Sequence, residues 1–426
     1  MSIKAIQRMK DENTMLRMGL EALQQSEKPG SKVNQAVLQA MIENNEKLVR
    51  SCDEGTPFIA SYHAYAPEIL VAMNLPWYAI AATPVTMPAS ILQQQVRECD
   101  KLDIPADLCT VIRLSLYIIE NDYFPPPTAS IAMITPCDGT VMMHQLLAKK
   151  DDWRDVPSFA PDPPYSDNER AMDYYTQEFR GMVAFLEKHT GRRLDYDKLR
   201  GVIEESNKQY KLWAEYNELR RAVPCPHGYK IGAQIWTMVT MLWPGDPRCT
   251  TWLEELVAET EQRVHEGIGA IPEEKIRLFW YDLRPFWIYE FGPWLEKEWG
   301  AVVIMDMITY NPYTLIDTST EETMLRGLAK RSLSDALMVR QERGPADIVA
   351  TDITRVVKDY KIDCVIWPAH MGHKAKAGVV GIGRQVCREL GVPFLHIELD
   401  IFDPQYTSSD EIKDQMSQFF TAMELG

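Results

Sequence analysis

The chain has 426 residues, of which 46% are hydrophobic and 25% charged, and its formal net charge is −16. That length exceeds one ordinary core and points to two or three domains of a globular protein. An acidic chain without a basic run excludes nucleic acid as the main partner, because phosphate binding needs clustered Lys and Arg; small anionic ligands remain open.

The first residues, "MSIKAIQRMKDENTMLRMGLEALQQ", carry no apolar core of a secretory signal. No window of 18 apolar residues offers a membrane span, so no membrane partner and a cytoplasmic location are expected. Eight cysteines lie at 52, 99, 109, 137, 225, 249, 364 and 387, with no CxxC pair. In a reducing compartment such dispersed thiols serve as buried hydrophobes or metal ligands rather than disulfides.

Residues 1–50 read as helices, with apolar positions Ile6, Met9, Met15 and Met18, then Val37, Leu38, Met41 and Leu48 after a "KPGSK" break. Residues 51–165 read as a first α/β domain. "APEILVAMNLPWYAI" predicts a short helix, a turn and a strand. "PTASIAMITPCDGT" is a near-continuous apolar run, as in a strand buried on both faces, and "TVMMHQLLAKK" predicts the following helix, with Asp138 or Thr140 near its N-cap. A Pro- and Asp-rich boundary leads into a helical segment, 166–274. Residues 275–426 return to alternation: "KIRLFWYDL", "AVVIMDMI", "DCVIWPAH" and "VPFLHIELDI" predict strands between helices. The fold class expected is α/β, two doubly wound parallel-sheet domains with N-terminal helices and a helical segment between them. Ligands of such sheets bind beyond the carboxyl ends of the strands.

There is no GxxxxGK[ST], no early GxGxxG and no GxSxG, so ATP hydrolysis by this chain is not expected. "GVVGIGRQ" at 378–385 reads as a glycine-bearing helix start, a weak nucleotide signal. Cys109 in "PADLCTVIRL", Cys137 in "MITPCDGT" and His373 in "PAHMGHK" fall at strand ends or loops facing a cleft. Cysteine and histidine suit zinc or iron–sulfur sites, although a cysteine is more often packing than ligand. His370, three residues before His373, reads as ligand, proton donor or loop residue, since neutral imidazole titrates near working pH. Glu68 reads either as a buried acid/base carboxylate or as an acidic residue placed in a first helical turn by the dipole. His63 and Tyr65 just before it either face the cleft or pack, and His144 is core or rim. Cys364 and Cys387, within a strand and a helix, read as packing.

Taken in order from about residue 50 onward, "YAPEILVAMNLP", "CTVIRLSLYI", "MITPCDGT", "FLEKHTGRRLDYDKL", "WPAHMGHK" and "VPFLHIELDIFDPQYTSSDEIKDQMSQFF" resemble the 2-hydroxyacyl-CoA dehydratase and benzoyl-CoA reductase family. The resemblance implies a subunit of an oxygen-sensitive iron–sulfur enzyme, with a [4Fe-4S] cluster and a CoA thioester substrate. It implies reduction of the thioester by single electrons through a ketyl-type intermediate, ending in 2-hydroxyacyl-CoA dehydration or aromatic ring reduction. Its implied partners are a homologous second catalytic subunit, an ATP-hydrolysing iron–sulfur activator protein and the acyl-CoA.

The resemblance makes Cys109 and Cys137 cluster ligands and puts His373 where a third cysteine is expected. It also sets Glu68 near the substrate, and His370 is then read as serving the proton chemistry. Three readings stay open for His373: a third ligand beside two thiolates, a proton donor beside a cluster held by another cysteine, or the mark of a lost cluster. The alternatives at the level of function are a non-catalytic or electron-relay partner subunit, and a mononuclear metal-binding family member.

Overall fold

The computed structural model describes residues 3–25, 31–61, 66–82, 89–102, 104–132, 134, 137–228, 230–288, 290–334, 340, 346–370 and 372–423. His63 and Tyr65 lie outside them. Two four-stranded sheets organise the chain, and every strand pair in both is parallel. The first holds β1 (Ile59–Ser61), β2 (Trp77–Ala79), β3 (Ala129–Ile131) and β4 (Ser158–Phe159) in the order β2-β1-β3-β4. The second holds β5 (Ile276–Trp280), β6 (Ala301–Asp306), β7 (Cys364–His370) and β8 (Phe394–Leu399) in the order β6-β5-β7-β8. Both sheets therefore follow one winding rule, with the first strand placed between the second and third. The all-buried runs of β5 and β6 are what sheets covered on both faces require.

Helices cover the sheets. α1 (Ile3–Gln24) and α2 (Ser31–Glu54) form the N-terminal pair. α3 (Pro67–Ala72), α4 (Ala89–Cys99), α5 (Thr110–Glu120) and α6 (Asp138–Leu147) belong to the first sheet. α7 (Glu169–Thr190), α8 (Tyr196–Leu219), α9 (Lys230–Thr237) and α10 (Pro247–Glu266) make the helical stretch, and a π-helical turn, Met238–Leu242, extends α9. α11 (Phe291–Trp299), α12 (Glu321–Ser334), α13 (Ala346–Asp359), α14 (Lys374–Leu390) and α15 (Ser409–Ala422) accompany the second sheet.

Helices α7, α8, α10 and α15 start where the sequence supplies a side-chain acceptor for the first free N–H groups. Asn168 accepts from the Ala171 N–H, Asp195 from Asp197 and Lys198, and Asp246 from Arg248. Ser408 and Glu411 form a reciprocal capping box. Gly191 and Gly267 end α7 and α10 in the left-handed conformation.

One hydrophobic core runs through both sheets, and a second joins Val33 and Ala40 of α2 to Trp213, Tyr216, Met238, Trp252 and Leu253 of the helical stretch. The N-terminal pair is thus fastened to the central helices. Met15 and Met18 do not belong to its inner face; they are 64% and 66% exposed, while Ala5 and Met9 are buried. The N-cap of α6 is Cys137, and Asp138 and Thr140 stand in the first turn next to it: Asp138 accepts from the Gly139 N–H and Thr140 donates to the Cys137 carbonyl. The "GVVGIGRQ" glycines lie inside α14, not at its start. A Cβ on Gly383 would come 2.4 Å from the Trp367 ring, so this glycine lets the helix sit on β7.

Candidate metal centre

β7 lies between β5 and β8 in the second sheet. Its last residue is His370, and the loop that follows carries His373 as the N-cap of α14. Asp282 lies just beyond β5 and Asp400 just beyond β8. Three neighbouring strands therefore deliver two imidazoles flanked by two carboxylates at the carboxyl end of the sheet. The first sheet's domain supplies the thiol: Cys109 is the N-cap of α5. All five side chains are buried.

The Sγ of Cys109 lies 3.2 Å from Nε2 of His370. Ligand atoms of Cys109, His370 and His373 all fall within 4.8 Å of one another. Each imidazole has a carboxylate behind it. Nδ1 of His373 sits 3.3 and 3.4 Å from the two oxygens of Asp282, which leaves Nε2 for the shared centre. Nδ1 of His370 sits 3.3 Å from Asp400, close enough for charge attraction but not aligned for a hydrogen bond. Asp400 is itself fixed: Oδ1 accepts from Thr110 at 2.7 Å and from the Phe402 and Asp403 N–H groups at 2.8 Å each. The Thr110 bond pins β8 to the start of α5, beside Cys109.

The charges of the group reinforce one another. Burial by itself raises the Cys109 thiol, but His370, then His373, pull it down to about 6. Burial lowers the His373 imidazolium, and Asp282, followed by Cys109, overrides it and holds it well above the ordinary value. Asp282 is raised by burial and brought below the usual carboxylate range by His373, Lys376 and the Leu283 N–H. Lys376 is buried in the first turn of α14, with its Nζ 4.8 Å from the centroid of the Tyr281 ring.

A thiol and two imidazoles, each imidazole backed by a carboxylate, are the donor set of a transition-metal site with its outer shell in place. Ligand atoms bound to one tetrahedral ion stand about 3.4 to 3.6 Å apart, a scale the 3.2 Å Cys109–His370 separation approaches.

Of the residues singled out in the sequence, the structure brings together Cys109, His370 and His373. Cys137 is not in this group. It is half-buried at the N-cap of α6, the same topological position that His373 holds after the third strand of the second sheet. The two helix starts meet through Lys374, which donates to Asp138 at 3.2 Å. Glu68 is not in the group either. Its Oε1 accepts from Arg331 at 2.9 Å and Ser206 at 2.7 Å, a buried tie between α3, α8 and α12. Asp282 and Asp400 were missed in the sequence. Their signal is an acidic residue at the carboxyl end of a predicted strand, in "WYDL" and "IELDI".

Among the described residues no helix is long and apolar enough to cross a membrane. The family model described as 2-hydroxyglutaryl-CoA dehydratase, D-component, matches residues 64–423. The chain is 20% identical over 306 residues to the alpha subunit of (R)-2-hydroxyglutaryl-CoA dehydratase of Acidaminococcus fermentans, which covers 70% of this chain and 61% of that relative's length. It is 21% identical over 356 residues to one of the subunits of the benzoyl-CoA reductase of Thauera aromatica, which covers 77% of this chain and 79% of that relative.

Proposed function

Since the chain belongs to the 2-hydroxyglutaryl-CoA dehydratase D-component family, we propose that it is a member that acts on a CoA thioester with a single transition-metal ion held by Cys109, His370 and His373. The observation that carries this reading is the pairing of each imidazole with its own carboxylate while both rings converge on one thiol. Three protein ligands leave a fourth position open, as in catalytic zinc sites. The ion, when bound, supplies Lewis acidity toward a carbonyl oxygen or a water. Cys109 gives the anionic donor, and its depressed thiol favours the thiolate. His370 and His373 would give imidazole nitrogens, His373 oriented by the Asp282 contact at its Nδ1 and His370 with the Asp400 charge behind it. Beside Asp282, at the carboxyl ends of β5 and β6, a small cavity of about 20 Å³ is lined by Trp280, Phe291, Arg284 and Asp306. It marks the end of the sheet where such folds take their ligands.

A second reading keeps the iron–sulfur radical chemistry, with Cys109, Cys137 and His373 as ligands, His370 and Glu68 in proton transfer, and a homologous subunit and an ATP-hydrolysing activator as partners. Its support is the likeness to the two relatives and the matched positions of Cys137 and His373. The tight grouping favours one ion, because ligands to separate irons of a cluster must stand off by the iron–iron spacing as well.

Cobalt(II) substitution tests the proposal. A single-ion site gives a thiolate-to-cobalt charge-transfer band that is lost in Cys109→Ser and kept in Cys137→Ser. A band lost with Cys137 instead contradicts the assignment.

A further inference from the structure

Two lysines stand in the first turn of α14, and the fold treats them differently. Lys374 points outward: its side chain is 56% exposed and its Nζ lies 3.2 Å from Asp138. Lys376 is 1% exposed, among the largest fully buried side chains of the protein. That placement is unfavourable twice over. A helix N-terminus repels cations, which is why first turns collect Asp and Glu, and α14 has neither there. An ammonium also loses its hydration when it is buried.

What surrounds Lys376 is the metal centre. Its backbone N–H donates to the carbonyl of His373 at 3.0 Å, which sets it one helical turn from that ligand. Its Nζ lies 4.8 Å from the centroid of the Tyr281 ring, and the next residue is Asp282, the carboxylate behind His373. Burial raises the Asp282 carboxyl, and the charges of His373 and then Lys376 bring it below the usual range. The centre otherwise gathers negative charge: the Cys109 thiolate and the carboxylates of Asp282 and Asp400, all buried. Such a set draws the ion of highest available charge. A fixed cation opposes that, and opposes a trivalent ion more strongly than a divalent one. Burial keeps this opposition from being screened by salt.

We propose that Lys376 is the specificity-determining residue for the charge of the ion: it holds the centre to a divalent cation, so that bound iron favours the ferrous state. The inference rests on the single-ion reading above. Lys376 acts by its charge and not as a ligand. Losing it makes the surroundings of the ion more negative by one charge, whatever else the ammonium touches.

A mediated redox titration of the full chain loaded anaerobically with iron tests this, followed by the thiolate-to-ferric charge-transfer band. Lys376→Met and Lys376→Gln should each raise the affinity for ferric over ferrous iron about tenfold, which a one-electron titration reads as a midpoint about 59 mV below that of the wild type. Lys376→Arg, which keeps the charge, and Lys374→Met, which removes a charge exposed to solvent, should leave that ratio within about twofold. Circular dichroism and iron per chain establish that each variant is folded and loaded. Coinciding midpoints for the wild type and both neutral variants overturn the proposal. So does a Lys376→Arg midpoint that falls as far as that of Lys376→Met, because packing and not charge would then be the cause. Loss of iron from both neutral variants overturns it as well, since removing one cation should not weaken the hold on another. A wild-type chain that holds no iron, or holds it only with sulfide, fails the single-ion reading, and the inference falls with it.

Discussion

A Cβ on Gly372 would fall 2.2 Å from the Cα of Cys109 and 2.6 Å from its Cβ and nitrogen. The loop between the two histidines therefore rests on the backbone that presents the thiol, and only glycine allows that approach. Gly372→Ala should push the loop away and lower metal affinity more than tenfold, measured by competition with a chelator, while the circular dichroism spectrum stays that of the folded chain. Asp282→Asn and Asp400→Asn keep the shape but lose the charge behind each imidazole. Each should cost about 10- to 100-fold in metal affinity by the same assay. Unchanged affinity in both would mean that the carboxylates hold the fold and not the ligands.

The sequence supplied Cys109 and His373 as candidates through residue chemistry and position after a strand or loop. It could not show that His370 joins them in place of Cys137. That outcome depends on a glycine contact across 263 residues of chain, between Cys109 and Gly372, and no spacing rule encodes it.

At the scale of elements, Glu68 is the clearest case of a residue whose role depends on what packs against it. Arg331 donates to Glu68 and Ser206, and also to Asn207 at 2.7 Å, within a buried contact of α3, α8 and α12. Glu68→Ala leaves the Arg331 charge buried without its counter-ion and should lower unfolding stability by about 3–5 kcal/mol in denaturant titration. Metal affinity of the folded variant should not change.

His144 on α6 and His227 beyond the end of α8 carry a pH effect of their own. Burial pushes His144 down to about 4, and burial, then Arg263 and Arg220, push His227 down to about 4 as well. Both are neutral in the folded chain, while the unfolded chain takes up protons near the ordinary value of 6.5. Their contribution to stability is full above pH 6.5 and is lost as pH falls toward 4, at about 1.4 kcal/mol per pKa unit. His144→Leu should flatten the fall of Tm between those pH values. An identical pH profile in wild type and variant would contradict the assignment.

Strands and helices of the second sheet were legible because their apolar runs are long and end at Gly, Pro or Asp. The inner face of α1 was not. Met15 and Met18 fit a helical period yet face solvent, because α2 covers the side marked by Ala5 and Met9.

For the whole molecule, the sequence allowed two parallel-sheet units to be expected, and the structure adds that both are wound in the same order. The consequence is functional. The thiol comes from the first unit, the imidazoles and carboxylates from the second, and the Thr110–Asp400 bond and the Gly372–Cys109 contact hold the two together. A centre divided in this way cannot be read from either half alone, and it makes metal content a report on how the halves meet.

The most direct test is therefore metal and acid-labile sulfide per chain on anaerobically purified protein, for the wild type and for Cys109→Ser, His370→Ala and Cys137→Ser. About one zinc or iron per chain and no sulfide are expected, with the metal lost in the first two variants and kept in the third. About four irons with about four sulfides, dependent on Cys137, would contradict the single-ion reading and restore the cluster.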